Sequence, residues 1–362
     1  MTIPASPIPR TMKALTVVEA GRPPQLGIED RPVPTPGPGE ALLRVDACGF
    51  CHHDLLVMAG TLRRGVGPGV ILGHETAGTV VAVGEGVTQF RAGDRVVSLL
   101  TAACGQCARC LAGLEHRCVA GAGIGHGRDG GFAEYVALPA SALVAVPDSI
   151  PPEEAALLAC PAGVALTGIE AAGVKSGDTV VVSGAGGGLG AHAAQLAAMA
   201  GAQVIAVTTS SEKTAQLETM GASVVIEAED GLNIADVVMA LTDDAGADAV
   251  IDTVGPPLWP ATLRCLGQYG RLTLLGDVTG EPATLPLAEI IFRDLRIMGV
   301  SGVSRAALER TVNLAATGRL RPVVSQTLPL TAEGAAEAWR LVAERRPLGR
   351  VVLTPPLPAV PA

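Results

Sequence analysis

Residues 48 to 54, Cys-Gly-Phe-Cys-His-His-Asp, place five side chains able to bind a transition metal within seven positions. A stretch this short cannot close a tetrahedral shell by itself, so its partners must come from elsewhere in the chain. Further along, "CGQCARCLAGLEHRC" sets Cys104, Cys107, Cys110 and Cys118 in a C-x2-C-x2-C-x7-C array. Short spacings let one looping backbone aim several thiolates inward, and four sulfurs close a zinc shell with no position left for substrate. The array therefore reads as a structural zinc site, with an iron–sulfur cluster or four unrelated buried thiols as the alternatives. Eight cysteines in a chain read as cytoplasmic point to metal ligation rather than disulfides.

The second constellation is spread out. "GHETAG" offers His74 with Glu75 beside it, and "LLACPAG" offers Cys160 at the end of an apolar run. Alone, Cys160 reads as a core cysteine. Joined to Cys51 and His74 it makes a shell of two sulfurs and one nitrogen with an open fourth position, the arrangement of a catalytic zinc. Two zinc ions per chain are thus expected. An open site of this kind suits polarisation of a carbonyl, or stabilisation of an alcoholate, while a hydride moves to or from a nicotinamide.

The nicotinamide carrier has its own signature in "TVVVSGAGGGLGAHAAQLAAMAG", which reads as strand, glycine turn and helix. Glycines let the backbone approach a pyrophosphate, which then sits on the helix N-terminus. Gly184, Gly187, Gly188, Leu189 and Gly190 form this turn, with spacing G-x-x-G-G-x-G rather than the strict G-x-G-x-x-G. At the end of the next strand an acid would bind the ribose 2′-hydroxyl of NAD and repel a 2′-phosphate. Thr208 stands there, followed by Thr209, Ser210, Ser211 and the cation of Lys213. This favours NADP. NAD stays as the alternative, because Glu212 is present, arginine is absent, and the hydroxyls also suit a helix cap with Lys213 in solvent.

These groups need a scaffold of two kinds. The first part of the chain reads as short strands punctuated by Gly and Pro: "KALTVVEA", "EALLRVDACG", "AGTVVAVG", "DRVVSLL" and "FAEYVALP". That pattern predicts a mostly β, barrel-like domain. From about Gly177, "TVVVSG", "AQVIAV", "SVVIEA", "ADAVID", "RLTLLG" and "LRIMGV" alternate with helical stretches, which predicts a six-stranded doubly wound parallel sheet. Residues 1–161 and 302–362 are assigned to the first domain, with a zinc lobe at about 100–120, and 162–301 to the second. Two helices and a last strand, "GRVVLTP", return to the first domain, and the proline-rich end is expected to be disordered.

Composition sets the outer bounds. A chain of 362 residues with 48% hydrophobic content exceeds one typical core. Aromatics are only 2%, so Val, Leu, Ile and Ala must fill the interior. A net charge of -9 without a Lys/Arg cluster argues against nucleic acid. No apolar run reads as long enough to cross a bilayer, and "MTIPASPIPR" lacks a signal-peptide core, so a cytoplasmic protein is expected. The apolar strand "LRIMGV" at a sheet edge predicts pairing with another copy, as a homodimer or homotetramer.

Taken together and in order, "CGFCHHDLL", "GHETAGTVVAVGEGV", "DRVV", the four-cysteine lobe, "GGFAEY" and "GAGGGLG" make the chain resemble a zinc-containing alcohol dehydrogenase of the medium-chain dehydrogenase/reductase superfamily, from about Met12 to Thr354. The resemblance implies a GroES-like catalytic domain beside a Rossmann domain. It also implies Cys51, His74 and Cys160 as the catalytic zinc ligands, with Glu75 able to approach the metal, Asp54 orienting the site and Cys48 a packed strand residue. His52 and Arg350 match basic residues that face the cofactor pyrophosphate, although Arg350 alone also reads as surface charge.

The chain departs from the family at the proton route. His53 replaces the usual Ser or Thr hydroxyl two residues after the zinc cysteine, and Leu56 replaces the histidine that often ends the relay. His53 is therefore read as the proton donor and acceptor, against the reading that it shapes the pocket or meets the cofactor ribose. "VTTSSEK", "VIDTVG", "GRLTLLGDV" and "FRDLRIMG" are also similar to acryloyl-CoA reductases, which reduce an activated C=C bond with NADPH. There Arg63 and Arg64 would meet a CoA phosphate, or simply be a solvated pair. The expected function is alcohol–carbonyl interconversion on a small molecule, ahead of enoyl-thioester reduction and of a non-catalytic sensor.

Overall fold

The structure is a computed structural model that describes residues 8–63, 65–229, 231–259 and 261–356. Arg64, one of the pair considered above for a CoA phosphate, lies outside the described residues, as does most of the proline-rich end. The chain divides into two units, one formed by residues up to 160 with 302–316 and those from 324 onward, the other by 161–301 with 317–323.

In the first unit a seven-stranded sheet runs in the order Val324–Pro329, Arg350–Thr354, Glu40–Phe50, Glu75–Val83, Arg95–Ser98, Leu143–Ala145, with Tyr135–Pro139 also paired to Glu40–Phe50. Glu40–Phe50 is the hub. Its Leu, Val and Ala residues are buried on both faces, and it takes Glu75–Val83 and Arg350–Thr354 as antiparallel neighbours. Register decides what meets at its far end: Gly49 lies opposite Glu75, and Phe50 opposite Val351. One residue beyond those pairs stand Cys51, His74 and Arg350. A separate ladder, Thr11–Glu19 with Gln25–Pro32, touches the domain through the bridge Ala14 to Ala133.

The six strands expected in this unit all form, Arg350–Thr354 from "GRVVLTP" among them. Gln25–Pro32, Leu143–Ala145 and Val324–Pro329 form as well, without a sequence signal: the first and last are largely exposed strands with no apolar alternation, and the second has three residues.

The second unit holds six parallel strands in the order Ala222–Glu227, Gln203–Thr208, Thr179–Ser183, Ala247–Asp252, Leu266–Leu274, Arg296–Gly299. All six match the expected segments. In the four inner strands the Val, Ile and Ala residues are buried on both faces, as a sheet covered by crossover helices requires, while Val224, Val225 and Ile297 on the two edge strands are only partly buried. The strand order reverses at Thr179–Ser183, which feeds the glycine turn. Residues 317–323 join this unit because the helix Gly188–Met199 grips them: Gln195 exchanges two hydrogen bonds with the Arg321 backbone, and His192 Nε2 accepts from Val323 N–H at 3.2 Å. Arg296–Gly299 forms a sheet edge, as expected.

One expectation from the sequence fails. The helical stretch Pro152–Ala171 is, at 20 residues, long and apolar enough to cross a membrane by length and composition. It is 78% buried inside the fold, which is the environment of a core helix. Within it Ala159–Gly163 widens into a π-helical turn. Pro161 supplies the cause, since proline donates no N–H and its ring clashes with the carbonyl four residues earlier. Cys160 sits in that turn.

Candidate functional site

Ligand atoms of Cys51, His74, Glu75 and Cys160 lie within 4.8 Å of one another, and all four residues are buried. Cys51 ends the hub strand and opens the helix His52–Met58. Asp54, in the first turn of that helix, accepts the Cys51 N–H through Oδ2 at 2.8 Å and sets Oδ1 3.3 Å from His74 Nδ1. A carboxylate on Nδ1 fixes the ring and leaves Nε2 for a metal. His74 Nε2 is 3.8 Å from Glu75 Oε1, and Arg350 stands 2.9 Å from the same oxygen and 4.0 Å from Cys160 Sγ. Arg350 is thus buried against the donor set, and the surface-charge reading does not hold.

The electrostatics match a cation site. Neither Glu75 oxygen accepts a hydrogen bond among the described residues, although the residue is fully buried. Burial lifts its carboxyl to about 7, against the pull of Arg350. Cys160 donates toward Cys51, which draws the Cys51 thiol well below its ordinary range with help from Arg350 and His74, and holds Cys160 well above. Burial disfavours the charged form of His74, but Asp54 and Cys51 overcome this and raise it. A buried carboxylate without hydrogen bonds, beside two thiols and an oriented imidazole, fits zinc both by donor type and by the acceptor capacity it holds in reserve. Gly49 makes the room: a Cβ there would stand 2.0 Å from Glu75 Oε2, so any other residue would push the Glu75 carboxylate out of its place. Cys48 lies outside the set, its sulfur 3.7 Å from Thr76 Oγ1 within the strand.

Cys104, Cys107, Cys110 and Cys118 form a second group. Sulfur separations of 3.5, 3.9 and 4.0 Å lie near the edge of a tetrahedron with metal–sulfur bonds of about 2.3 Å, roughly 3.8 Å. Backbone N–H groups aim at all four sulfurs: those of Gln106 and Cys107 at Cys104, Val119 and Cys110 at Cys107, Gly105 at Cys110, and Cys104 at Cys118. The N–H groups of Val119 and Cys110 bring Cys107 down to about 6. Burial and the neighbouring thiols push Cys110 the other way, up to about 12, so in the absence of a cation one thiol of the group keeps its proton; four sulfurs at these separations fit zinc.

His53 is half-buried in the helix after Cys51. Its ring meets His74 at 5.3 Å and 80°, and His126 at 5.1 Å and 87°. Burial lowers its pKa and the neighbouring His74 lowers it further, with Asp54 opposing. His52 and Leu56 lie on the same helix, both partly buried. Gly49 and His126 escape a reading of the sequence. A lone histidine in a glycine-rich loop carries no local signal, and Gly49 has meaning only once the cross-strand register is known.

In the second unit Gly184 takes φ +62°, and the helix Gly188–Met199 starts directly after Gly187, with Leu189 in its first turn. A Cβ on Gly190 would lie 2.2 Å from Gly184 O, so helix and turn pack backbone to backbone. Thr208 and Lys213 press on the turn from the next strand: a Cβ on Gly186 would meet Lys213 Cδ at 2.6 Å and Thr208 Oγ1 at 3.2 Å. Lys213 is only 9% exposed, which excludes the solvent reading; burial lowers its pKa, against Glu212. Thr208 Oγ1 accepts from Ser210 N–H at 3.4 Å, and Glu227 takes the Ser211 N–H at 3.0 Å. Thr209 is exposed.

A GroES-like unit with an N,S metal donor set, and a Rossmann unit with a glycine turn, define the class: a nicotinamide-dependent oxidoreductase. Residues 37–148 match the alcohol dehydrogenase GroES-like domain and residues 188–317 the zinc-binding dehydrogenase family. An acryloyl-coenzyme A reductase from Sulfurisphaera tokodaii is 37% identical over 333 residues, 91% of this chain and 96% of that one. The crystal structure of an NAD-dependent alcohol dehydrogenase aligns at 35% identity with a TM-score of 0.88, over 95% of this chain and 99% of that one. A thermostable alcohol dehydrogenase from Pyrobaculum aerophilum, solved with cobalt and zinc bound, gives 30% identity and 0.87, over 95% and 100%. The chain belongs to the zinc-binding alcohol dehydrogenase family of the medium-chain dehydrogenase/reductase superfamily, which also embraces the acryloyl-coenzyme A reductases.

Proposed function

We propose that this chain is a zinc-dependent oxidoreductase that interconverts an alcohol and an aldehyde or ketone with NADP(H). The observation that carries the reading is the intact buried donor set of Cys51, His74 and Cys160 with Glu75 beside it. Zinc held there supplies a Lewis acid for a C–O group, and NADP(H) gives or takes the hydride. Asp54 fixes the His74 ring, and the Arg350 guanidinium offsets the negative charge of Glu75 and the thiolates. His53, edge-on to His74, holds at its ring nitrogens the proton that the C–O group gains or loses. Thr208 and Lys213 offer a hydroxyl and a cation to a 2′-phosphate where NAD enzymes carry an acid, and the glycine turn with the helix after it receives the pyrophosphate.

A second reading is NADPH-dependent reduction of an enoyl thioester. The similarity to an acryloyl-coenzyme A reductase favours it, as does the loss of the usual hydroxyl and histidine at positions 53 and 56. Arg63, proposed for a CoA phosphate, is exposed and donates its Nε–H to Gly60 O at 2.9 Å.

NADPH and NADH consumption against a panel of aldehydes, ketones and enoyl-CoA thioesters separates the two. The expected result is carbonyl reduction with NADPH preferred. Thr208→Asp should move kcat/KM toward NADH by at least about tenfold, since a carboxylate repels the phosphate and accepts from the 2′-hydroxyl. Turnover of enoyl thioesters alone overturns the carbonyl assignment, and better use of NADH by the native enzyme overturns the coenzyme assignment.

Self-association belongs to the same proposal. Leu287, Ile291 and Phe292 are exposed on the helix just before the edge strand Arg296–Gly299, and an apolar face beside open backbone groups suits a second copy. Light scattering should return the mass of a dimer or tetramer, and a monomer at micromolar concentration rules it out.

A further inference from the structure

We infer that His126 is a positioning residue that holds the His53 ring in one orientation beside His74; the inference rests on the proton-carrying role proposed for His53. The side chain of His53 leaves the first turn of a seven-residue helix and is only partly enclosed, so backbone structure alone does not choose among its staggered rotamers. Two rings choose instead. His74 stands on one side at 5.3 Å and 80°, and His126 at 5.1 Å and 87°, both in the edge-to-face arrangement that ring systems favour. His74 is itself pinned by Asp54, so the position of His126 settles the rest.

His126 is held by its backbone and by glycines. Its N–H donates to Gly123 O at 3.3 Å, and its carbonyl accepts from Gly67 N–H at 2.8 Å. A Cβ added at Gly123 would come within 3.2 Å of His126 Cβ, and one at Gly65 within 3.8 Å of its Cε1. The side chain thus lies between two glycine-containing segments, and a side chain at Gly123 would press on its Cβ.

What the ring does not do is equally informative. His126 Nε2 is buried and has no hydrogen-bond partner among the described residues. His192, a histidine with a structural task, has both nitrogens engaged, Nδ1 with Gly188 O at 2.6 Å and Nε2 with Val323 N–H at 3.2 Å. A half-exposed imidazole whose one buried nitrogen has no partner among the described residues contributes here through its shape, and the shape it presents is the contact with His53.

The test uses full-length, zinc-loaded protein carrying 13C-labelled histidine, in which six histidines give resolvable ring signals. In His126→Ala the His53 ring should lose its contacts to the His74 ring protons and exchange between rotamers. The kcat for whichever substrate class the enzyme turns over should fall by about threefold or more, one productive well out of three, while KM and zinc content hold. His126→Phe keeps a flat ring in the slot and should restore both readouts, whereas His126→Asn, which keeps a polar group but no ring, should not. An ordered His53 with unchanged kcat in His126→Ala overturns the inference, as does disordering of His53 without loss of rate, or rescue by Asn rather than Phe. If His126→Ala does not fold, the Phe and Asn variants decide by the same criteria. The ring-contact readout does not depend on the reaction catalysed, so failure of the proposed activity is told apart from failure of this inference.

Discussion

Cys160→Ser is expected to cost one zinc ion and nearly all turnover in a chain that still folds, whereas Cys104→Ser costs the other zinc and much of the folding yield. The asymmetry follows from what surrounds each donor set. Cys51, His74 and Cys160 are buried residues lying among strands and a helix that bury Phe50, Leu157 and Leu158, and that core does not need the metal to form. The four-cysteine lobe has no such support. Its helix Ala108–Leu111 and its turn Glu115–Arg117 bury no residue, and its ladder is the two-residue pair Thr101–Ala102 with Ala122–Gly123. Leu111, Leu114 and Val119 are exposed rather than clustered.

A metal held by the four cysteines would be the lobe's centre of cohesion, and structural zinc sites contribute on the order of 10 kcal/mol or more to folding in isolated small domains. Loss of the Lewis acid at the other site removes several kcal/mol of transition-state stabilisation, at least about a thousandfold in rate. Elemental analysis of the native protein should return about two zinc ions per chain, one for each donor group. A ratio near one, with the lobe filled, removes the Lewis acid from the proposed reaction and leaves the enoyl-thioester reading in front.

How far the sequence can be read depends on distance along the chain. The lobe is legible because its four thiols fall within fifteen residues and the backbone must loop to bring them together. The six parallel strands are legible for a similar reason, as each is an apolar run closed by a turn. Cys51, His74 and Cys160 emerge only in combination, since nothing local separates Cys160 from a core cysteine. What stays hidden depends on register. Gly49 faces Glu75 and Arg350 reaches Glu75 because three strands align at one end, and no single segment encodes that alignment. Lys213 reads from sequence either as a cation for a 2′-phosphate or as a solvent charge beside Glu212, and only the fold, which lays its stem across Gly186, decides against solvent. Exposed strands such as Gln25–Pro32 carry too little apolar pattern to be seen at all.

His53→Ala is expected to lower kcat by at least about a hundredfold, the smaller end of what a positioned proton donor or acceptor contributes. The groups around the donor set are already engaged. Cys51, His74, Glu75 and Cys160 are the group assigned to the metal in the proposed reaction, Asp54 is engaged by the Cys51 amide and the His74 ring, and Arg350 by Glu75. His53 is the proton-exchanging group that stands directly against His74. A neutral imidazole carries a donor on one nitrogen and an acceptor on the other, so it can serve either direction of the reaction, whereas Leu56 on the next turn of the helix can do neither. Zinc content should be unchanged in the variant, because His53 is not among the metal-binding group, and coenzyme affinity should persist. His53→Ser should recover part of the rate if a hydroxyl at this position can pass the proton to the cofactor ribose. Near-native turnover of His53→Ala across the pH range means that the proton travels another way, and the role assigned to His53 falls with it.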